Sequence, residues 1–234
     1  MKPYQQIPIV ECDEPLMPIP PELVVVSPHP YQQLGATYGV RSPYYLRQSV
    51  IDALLVAQTE LQKEYPQWQL LIFDAYRPVE VQQFMVDYTF NQVVQAAKLD
   101  RQNLSALQRQ QIWEQVYQIW AVPNLDKRYP PPHSTGAAVD LTLSDNFGKP
   151  VDMGSEIDEL SMRSQPDYYA NCNDFQAQQY HLHRQLLHQV MRSAGFQRHP
   201  GEWWHFCLGD QMWAYLTDQM NQNTTVVARY GRVD

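Results

Sequence analysis

Long apolar runs, blocks of like charge, paired cysteines and internal repeats are all missing from this 234-residue chain. No segment approaches the roughly eighteen consecutive apolar residues of a membrane-spanning helix. Residues 1–20 are interrupted by charges and prolines and contain no apolar stretch typical of a signal peptide. We therefore expect a cytoplasmic protein without a membrane partner. The net charge of −8, spread along the chain, also argues against binding to nucleic acid.

The chain contains few cysteines, and their spacing indicates no pairs. The three cysteines, Cys12, Cys172 and Cys207, are far apart, odd in number and form no C-x-x-C motif. This pattern favours buried, reduced thiols over a disulfide framework.

Aromatic residues are plentiful, with 15 Tyr and 6 Trp, which is typical of a chain that folds around a core. The length suits one large domain better than two. Because no linker is evident, residues 1–234 are predicted to form a single domain. Its proline-rich segment 1–34 is expected to be an extended arm.

The periodicity of apolar residues predicts a mixture of helices and strands. No regular alternation of strand and helix is present, which favours an α+β fold with a mainly antiparallel central sheet and flanking helices. Helices are predicted at 44–64, 79–97, 104–120 and 174–194, and strands at 69–75, 137–143, 203–208 and 224–229.

The first segment with chemical potential is HSTGAAVDLTL, which runs from His133 to Leu143. Side chains alternate along a strand, so Val139 and Leu141 would face the core while Asp140 faces the opposite side. An acidic residue in so apolar a strand needs compensation, which a metal ion would provide. Gly136 would let the chain turn and return the His133 imidazole toward Asp140. An arginine pairing with Asp140 is the structural alternative.

The second segment, GEWWHF, places Glu202 and His205 within an aromatic run. Aromatic surroundings lower the local dielectric and raise the pKa of a carboxyl group, which suits a general base. With His133 and Asp140, His205 would complete an open catalytic zinc site of two nitrogens and one oxygen. Alternatively, Glu202 and His205 would simply bond each other.

The third segment, FDAYRP, ends a predicted strand with Arg77 held by the following proline. A guanidinium there is suited to stabilising an oxyanion. A structural salt bridge to Asp74 or Glu80 is the alternative.

These segments, together with the Asp152-Met-Gly154 turn and Asp158, resemble the D-alanyl-D-alanine dipeptidases of the vancomycin-resistance type, which are M15-like zinc D,D-peptidases. The similarity extends over about residues 7–215. The motifs H-x-x-G-x-A-x-D and E-W-W-H, in this order, are specific to the group, and the double Trp is more similar to the dipeptidases than to the carboxypeptidases.

The resemblance implies an enzyme that binds one zinc per chain and cleaves D,D-dipeptides to D-alanine. It implies that His133, Asp140 and His205 are the zinc ligands, that Glu202 is the catalytic base and that Arg77 stabilises the transition state. Substrate contacts are implied for three further residues, of which the first would receive the amino group: Asp158, Tyr76 and Trp204.

Two departures from the family pattern concern substrate preference. Pro131 and Pro132 precede His133 where family members often have serine, and Ile157 replaces a usual phenylalanine before Asp158. The alternatives are a D,D-carboxypeptidase or other cell-wall peptide hydrolase and, in a different class, a non-catalytic zinc-binding module.

Overall fold

The computed structural model describes residues 2–220 and 226–233. Its helices are α1 (Pro30–Gln33), α2 (Gln48–Glu64), α3 (Val79–Ala96), α4 (Ala106–Val116), α5 (Phe175–Ser193) and α6 (Gln211–Met220). Its strands are β1 (Leu16–Pro18), β2 (Val24–Val25), β3 (Tyr45–Arg47), β4 (Gln69–Asp74), β5 (Ala138–Ser144), β6 (Gln197–Arg198) and β7 (His205–Cys207).

Five strands form the central sheet in the order β2-β4-β5-β7-β6. Strand β2 runs parallel to β4, and every other neighbouring pair in this sheet is antiparallel. The predicted α+β fold is therefore confirmed, with a mixed sheet that is antiparallel at its centre. Strands β1 and β3 form a separate antiparallel pair.

The four long predicted helices and the three central strands are present, with ends displaced by a few residues. Helix α2 begins at Gln48 because the preceding residues, Tyr45–Arg47, pair with β1 instead of continuing the helix. Helix α4 begins after Ser105, whose hydroxyl accepts the Gln108 amide hydrogen in a capping box. Helix α5 ends before Gly195, whose φ of +91° terminates it.

Three expectations need correction. The arm 1–34 is not simply extended, because it contains two short helical turns and supplies β2 to the central sheet. In the predicted last strand, residues 224–225 lie outside the described residues, and the rest makes one bridge, from Ala228 to Ile9. All three cysteines are free, but only Cys207 is buried; Cys12 lies on the exposed arm.

The main core lies between the central sheet and helices α2 and α5. Val139, Leu141 and Leu143 of β5 all point into it and are fully buried. A second apolar cluster joins α3 and α4. The alternation predicted for β5 therefore holds, and Asp140 lies on the face away from the main core.

A long connection, residues 145–174, joins β5 to α5, and its backbone comes close to two aromatic rings at Gly154. Gly154 has φ of +80°, and a Cβ there would come within 2.5 Å of the Tyr180 ring and 2.6 Å of the Tyr169 ring. Its carbonyl accepts a 2.6 Å hydrogen bond from the Tyr169 hydroxyl. A side chain at this position would be both strained and without space.

We predict that Gly154→Ala lowers the free energy of unfolding by about 3 kcal/mol, from left-handed backbone strain plus overpacking. Gly148→Ala is the matched control, because Gly148 has φ of +74° but a Cβ there meets no described atom within 4 Å. The control should lose only about 1 kcal/mol from backbone strain. Urea unfolding of both variants measures the difference, and equal losses would contradict the close approach.

Candidate active site

The pairing of β5 with β7 brings two predicted ligands together. Asp140 lies directly opposite His205 in the antiparallel register, and both side chains therefore project from the same face. The His205 Nδ1 atom lies 3.0 Å from Asp140 Oδ1. Residues 65 positions apart in the sequence thus become neighbours through strand pairing.

His133 reaches the same point from the 3-10 turn Pro132–Thr135, just before β5. Gly136, with φ of +70°, reverses the chain after the turn as predicted. His133 Nδ1 donates a 2.7 Å hydrogen bond to the Ala75 carbonyl, which leaves Nε2 as the atom with a free lone pair. That Nε2 lies 3.2 Å from His205 Nδ1 and 3.2 Å from Asp140 Oδ2.

This His–Asp–His group fits a zinc ion. Ligands at zinc bond lengths in tetrahedral geometry lie about 3.3 Å from one another. The observed separations of 3.0–3.2 Å match that spacing, and all three side chains are buried. Two imidazoles and one carboxylate form the donor set of an open catalytic zinc site.

Glu202 lies beside this group, at the start of the E-W-W-H motif. Its carboxylate oxygens are 3.9 Å from His205 Nδ1 and 3.5 Å from His199 Nδ1. Burial raises the pKa of Glu202 well above its ordinary value, and the charges of Asp140 and Asp158 raise it further. A raised pKa makes the carboxylate a stronger proton acceptor, which suits a general base.

Arg77 is held by four hydrogen bonds. Its Nε donates to Asp74 at 2.9 Å, and its Nη1 donates to Gln82 at 3.0 Å. Its Nη2 donates to Asp140 at 3.0 Å and to the Tyr31 hydroxyl at 3.1 Å. The alternative salt bridge to Asp74 is therefore real, and it fixes the guanidinium against a candidate metal ligand.

Asp74, which accepts the hydrogen bond from Arg77 Nε, has further partners that hold it in place. The fully buried carboxylate also accepts hydrogen bonds from His29 Nε2 and from the Tyr38 hydroxyl, each at 3.0 Å. Burial opposes ionisation of Asp74, but Arg77 and His29 outweigh it and lower the pKa. Asp74 is thus an anion that orients Arg77.

Asp158 faces the same pocket, close to Arg77. It is held in the left-handed region, with φ of +64°, and accepts a 2.7 Å hydrogen bond from the Tyr31 hydroxyl. Burial raises its pKa to about 7, with a further contribution from Asp140 and opposition from Arg77. Among the described contacts, Asp158 forms no ion pair with Arg163, which binds Glu159 at 2.8 Å.

The two remaining predicted residues differ in position. Trp204 is buried and lines the pocket, with its ring edge-on to Trp203. Tyr76 is also buried, but the lining does not include it; Arg41 lies over its ring at 5.8 Å. A substrate role for Tyr76 stays a prediction.

Several lining residues were missed by sequence reasoning. Lys2 and Tyr4 reach the pocket from the amino-terminal arm, and His199 lies beside Glu202. Tyr31 links Arg77 to Asp158. His199 could have been found as an imidazole three positions before the predicted base, but no sequence pattern brings the arm to the site.

These features together define a metallohydrolase site, in which a metal-binding group, a buried glutamate and a fixed arginine surround one pocket. Comparisons with known proteins specify the class further. The family model for D-Ala-D-Ala dipeptidases, Peptidase M15, matches residues 25–226.

Curated relatives agree with the family model. A D-alanyl-D-alanine dipeptidase of Synechocystis sp. is 53% identical over 100% of this chain and 98% of its own length. A D-alanyl-D-alanine dipeptidase of Enterococcus faecium is 31% identical over 72% of this chain and 73% of its own. The chain belongs to the D-Ala-D-Ala dipeptidase family of M15 peptidases, and its cofactor is zinc.

We predict about one zinc per chain, the stoichiometry of a single three-ligand site. His133→Ala, Asp140→Ala and His205→Ala should each lose most of the bound metal, because two protein ligands hold zinc far more weakly than three. Metal analysis after dialysis measures this. His188→Ala, on α5 and outside the group, should keep its zinc. Full zinc retention in all three ligand variants would contradict the assignment.

Proposed function

We propose that this protein hydrolyses D-alanyl-D-alanine to D-alanine in the cytoplasm, with zinc held by His133, Asp140 and His205. The convergence of this metal-binding group, Glu202 and Asp158 on one small pocket carries the proposal. The relatives named as D-alanyl-D-alanine dipeptidases support this choice of substrate. Among the described residues, no helix is long and apolar enough to cross a membrane.

His133, Asp140 and His205 would hold the zinc ion, which would supply a Lewis acid that lowers the pKa of a bound water molecule and polarises a carbonyl oxygen. Glu202 is the proton acceptor, since its raised pKa lets it take a proton from water and later pass it to the departing amine. The aromatic wall formed by Trp204 keeps bulk water away from this transfer.

Arg77 contributes a fixed positive charge next to the metal group. Its bonds to Asp74 and Asp140 hold the guanidinium before substrate arrives, so no reorganisation is needed as negative charge develops on the carbonyl oxygen. Because the same bonds neutralise two buried carboxylates, Arg77 also stabilises the fold.

Asp158 is proposed to bind the free amino group of the dipeptide. Asp158 is half-buried, and the hydrogen bond from the Tyr31 hydroxyl orients its carboxylate. An incoming ammonium group would form a strong charge-assisted bond there and favour the ionised carboxylate. This contact selects the end of the substrate and limits its length.

The competing functions fit the pocket less well. A D,D-carboxypeptidase has to accept a chain that continues past the position of the amino group, where Asp158 and Tyr31 are bonded to each other. A non-catalytic zinc module needs neither a buried glutamate beside the metal group nor an arginine bonded to it, and both are present.

Glu202→Gln should retain zinc and the fold but lose activity by roughly a hundred-fold to ten-thousand-fold, because the amide cannot accept the proton. Release of D-alanine, measured on protein with verified zinc content, checks the prediction. Glu159→Gln, a nearby carboxylate paired with Arg163, is the control and should remain active. A Glu202→Gln enzyme with normal turnover would eliminate Glu202 as the base.

Wild-type enzyme should strongly prefer D-Ala-D-Ala to its N-acetyl form and to a tripeptide, because both replace the ammonium group by an uncharged amide opposite Asp158. Asp158→Asn should lose most of this preference while keeping zinc. The kcat/KM values of the three substrates on both proteins provide the measurement. Equal wild-type rates on free and acetylated dipeptide would refute the dipeptidase assignment and favour a carboxypeptidase.

A further inference from the structure

The amino-terminal arm contributes a cation to the catalytic pocket. Lys2 lies at the pocket mouth, where it is exposed to solvent and yet lines the cavity together with Glu202 and His199. Its positive charge lowers the pKa values of both these residues. Lys2 is therefore electrostatically coupled to the interior of the pocket.

The arm is fixed in this position by packing and hydrogen bonds. Tyr4 is buried against Ala138 and Met212, and the turn Pro3–Gln6 packs on α6. The Gln211 side chain of α6 donates to the Ile7 carbonyl at 2.7 Å and to the Gln5 carbonyl at 3.3 Å. These contacts fix the first turn of the arm, and with it the backbone at Lys2, beside the pocket.

The carboxylate of the substrate has no assigned partner in the pocket. A dipeptide is a zwitterion, and the proposed function assigns its ammonium to Asp158 but assigns no partner to its carboxylate. The lining residues include two permanent cations, Arg77 and Lys2. Arg77 is already bonded to four protein groups.

Asp158 and Lys2, the two candidate partners for the charged ends of the substrate, both line the pocket that contains Glu202. An extended dipeptide is only about 7 Å long. A pocket that binds both ends of so short a molecule has to supply both partners from its own lining.

We propose that Lys2 binds the carboxylate of the dipeptide and is a specificity-determining residue for substrates with a free carboxyl terminus. This proposal rests on the dipeptidase function. It adds to that function a selection of the second end of the substrate, made by the residue that precedes the first turn of the arm, Pro3–Gln6.

The test compares D-Ala-D-Ala with its carboxamide, which keeps the amino group and the scissile bond but lacks the negative charge. Wild-type enzyme should show a KM about tenfold lower for the acid than for the amide, the effect of one charge-assisted hydrogen bond at a partly exposed site. Lys2→Met should remove most of this difference by raising the KM of the acid alone. Lys2→Arg should retain it.

Any effect of Lys2→Met on the proton affinity of Glu202 changes both substrates equally, so the ratio of acid to amide isolates the carboxylate contact. Lys149→Met, which removes an exposed lysine outside the pocket lining, controls for net charge. Binding of both compounds to Glu202→Gln and to Glu202→Gln/Lys2→Met, measured by calorimetry, gives the same comparison without turnover.

A Lys2→Met enzyme that cleaves D-Ala-D-Ala with the wild-type preference for acid over amide would overturn the role of Lys2 and leave the dipeptidase function intact. Wild-type protein that fails to cleave D-Ala-D-Ala when loaded with zinc would instead overturn the proposed function.

Discussion

The antiparallel register between β5 and β7 is the constraint on which the rest of the site depends. It places Asp140 opposite His205, and a shift of one residue would turn one of them into the apolar core. The register is secured by the neighbouring residues, because Val139 and Phe206 are fully buried in the main core. The same apolar packing that stabilises the sheet therefore sets the spacing of the metal-binding group.

Arg77 connects the metal-binding group to the rest of the pocket. It bonds Asp140 on one side and Asp74 on the other, and its Nη2 reaches Tyr31, which in turn bonds Asp158. A hydrogen-bonded chain thus runs from a candidate zinc ligand to the residue proposed to bind the substrate amino group. Each buried charge in this hydrogen-bonded network has a partner, and these partners offset the cost of removing the charges from water.

The pocket balances an excess of carboxylates against few cations. Asp140 raises the pKa of both Asp158 and Glu202, and Asp158 raises that of Glu202. Arg77 and Lys2 oppose this effect at Glu202, and a bound zinc ion would add further positive charge. A zwitterionic dipeptide adds one charge of each sign and leaves this balance unchanged. A dipeptide that is acetylated at its amino end or amidated at its carboxyl end lacks one of these charges, which gives the proposed selectivity for free ends an electrostatic basis.

Local signals in the amino-acid sequence were sufficient to locate the long helices, the central strands and the chemical groups of the site. Apolar periodicity located four long helices and the central strands, and alternation along β5 separated Asp140 from the core side chains, because both signals arise from local geometry. The resemblance to D,D-dipeptidases indicated the family, which the comparisons confirm. Only the tertiary structure decided which groups meet: Tyr31 with Asp158, Asp74 with His29, and Lys2 with the pocket mouth. These contacts join residues that are far apart in the chain, and they form through packing of the arm and the helices. Local periodicity in the sequence carries no information about such long-range contacts.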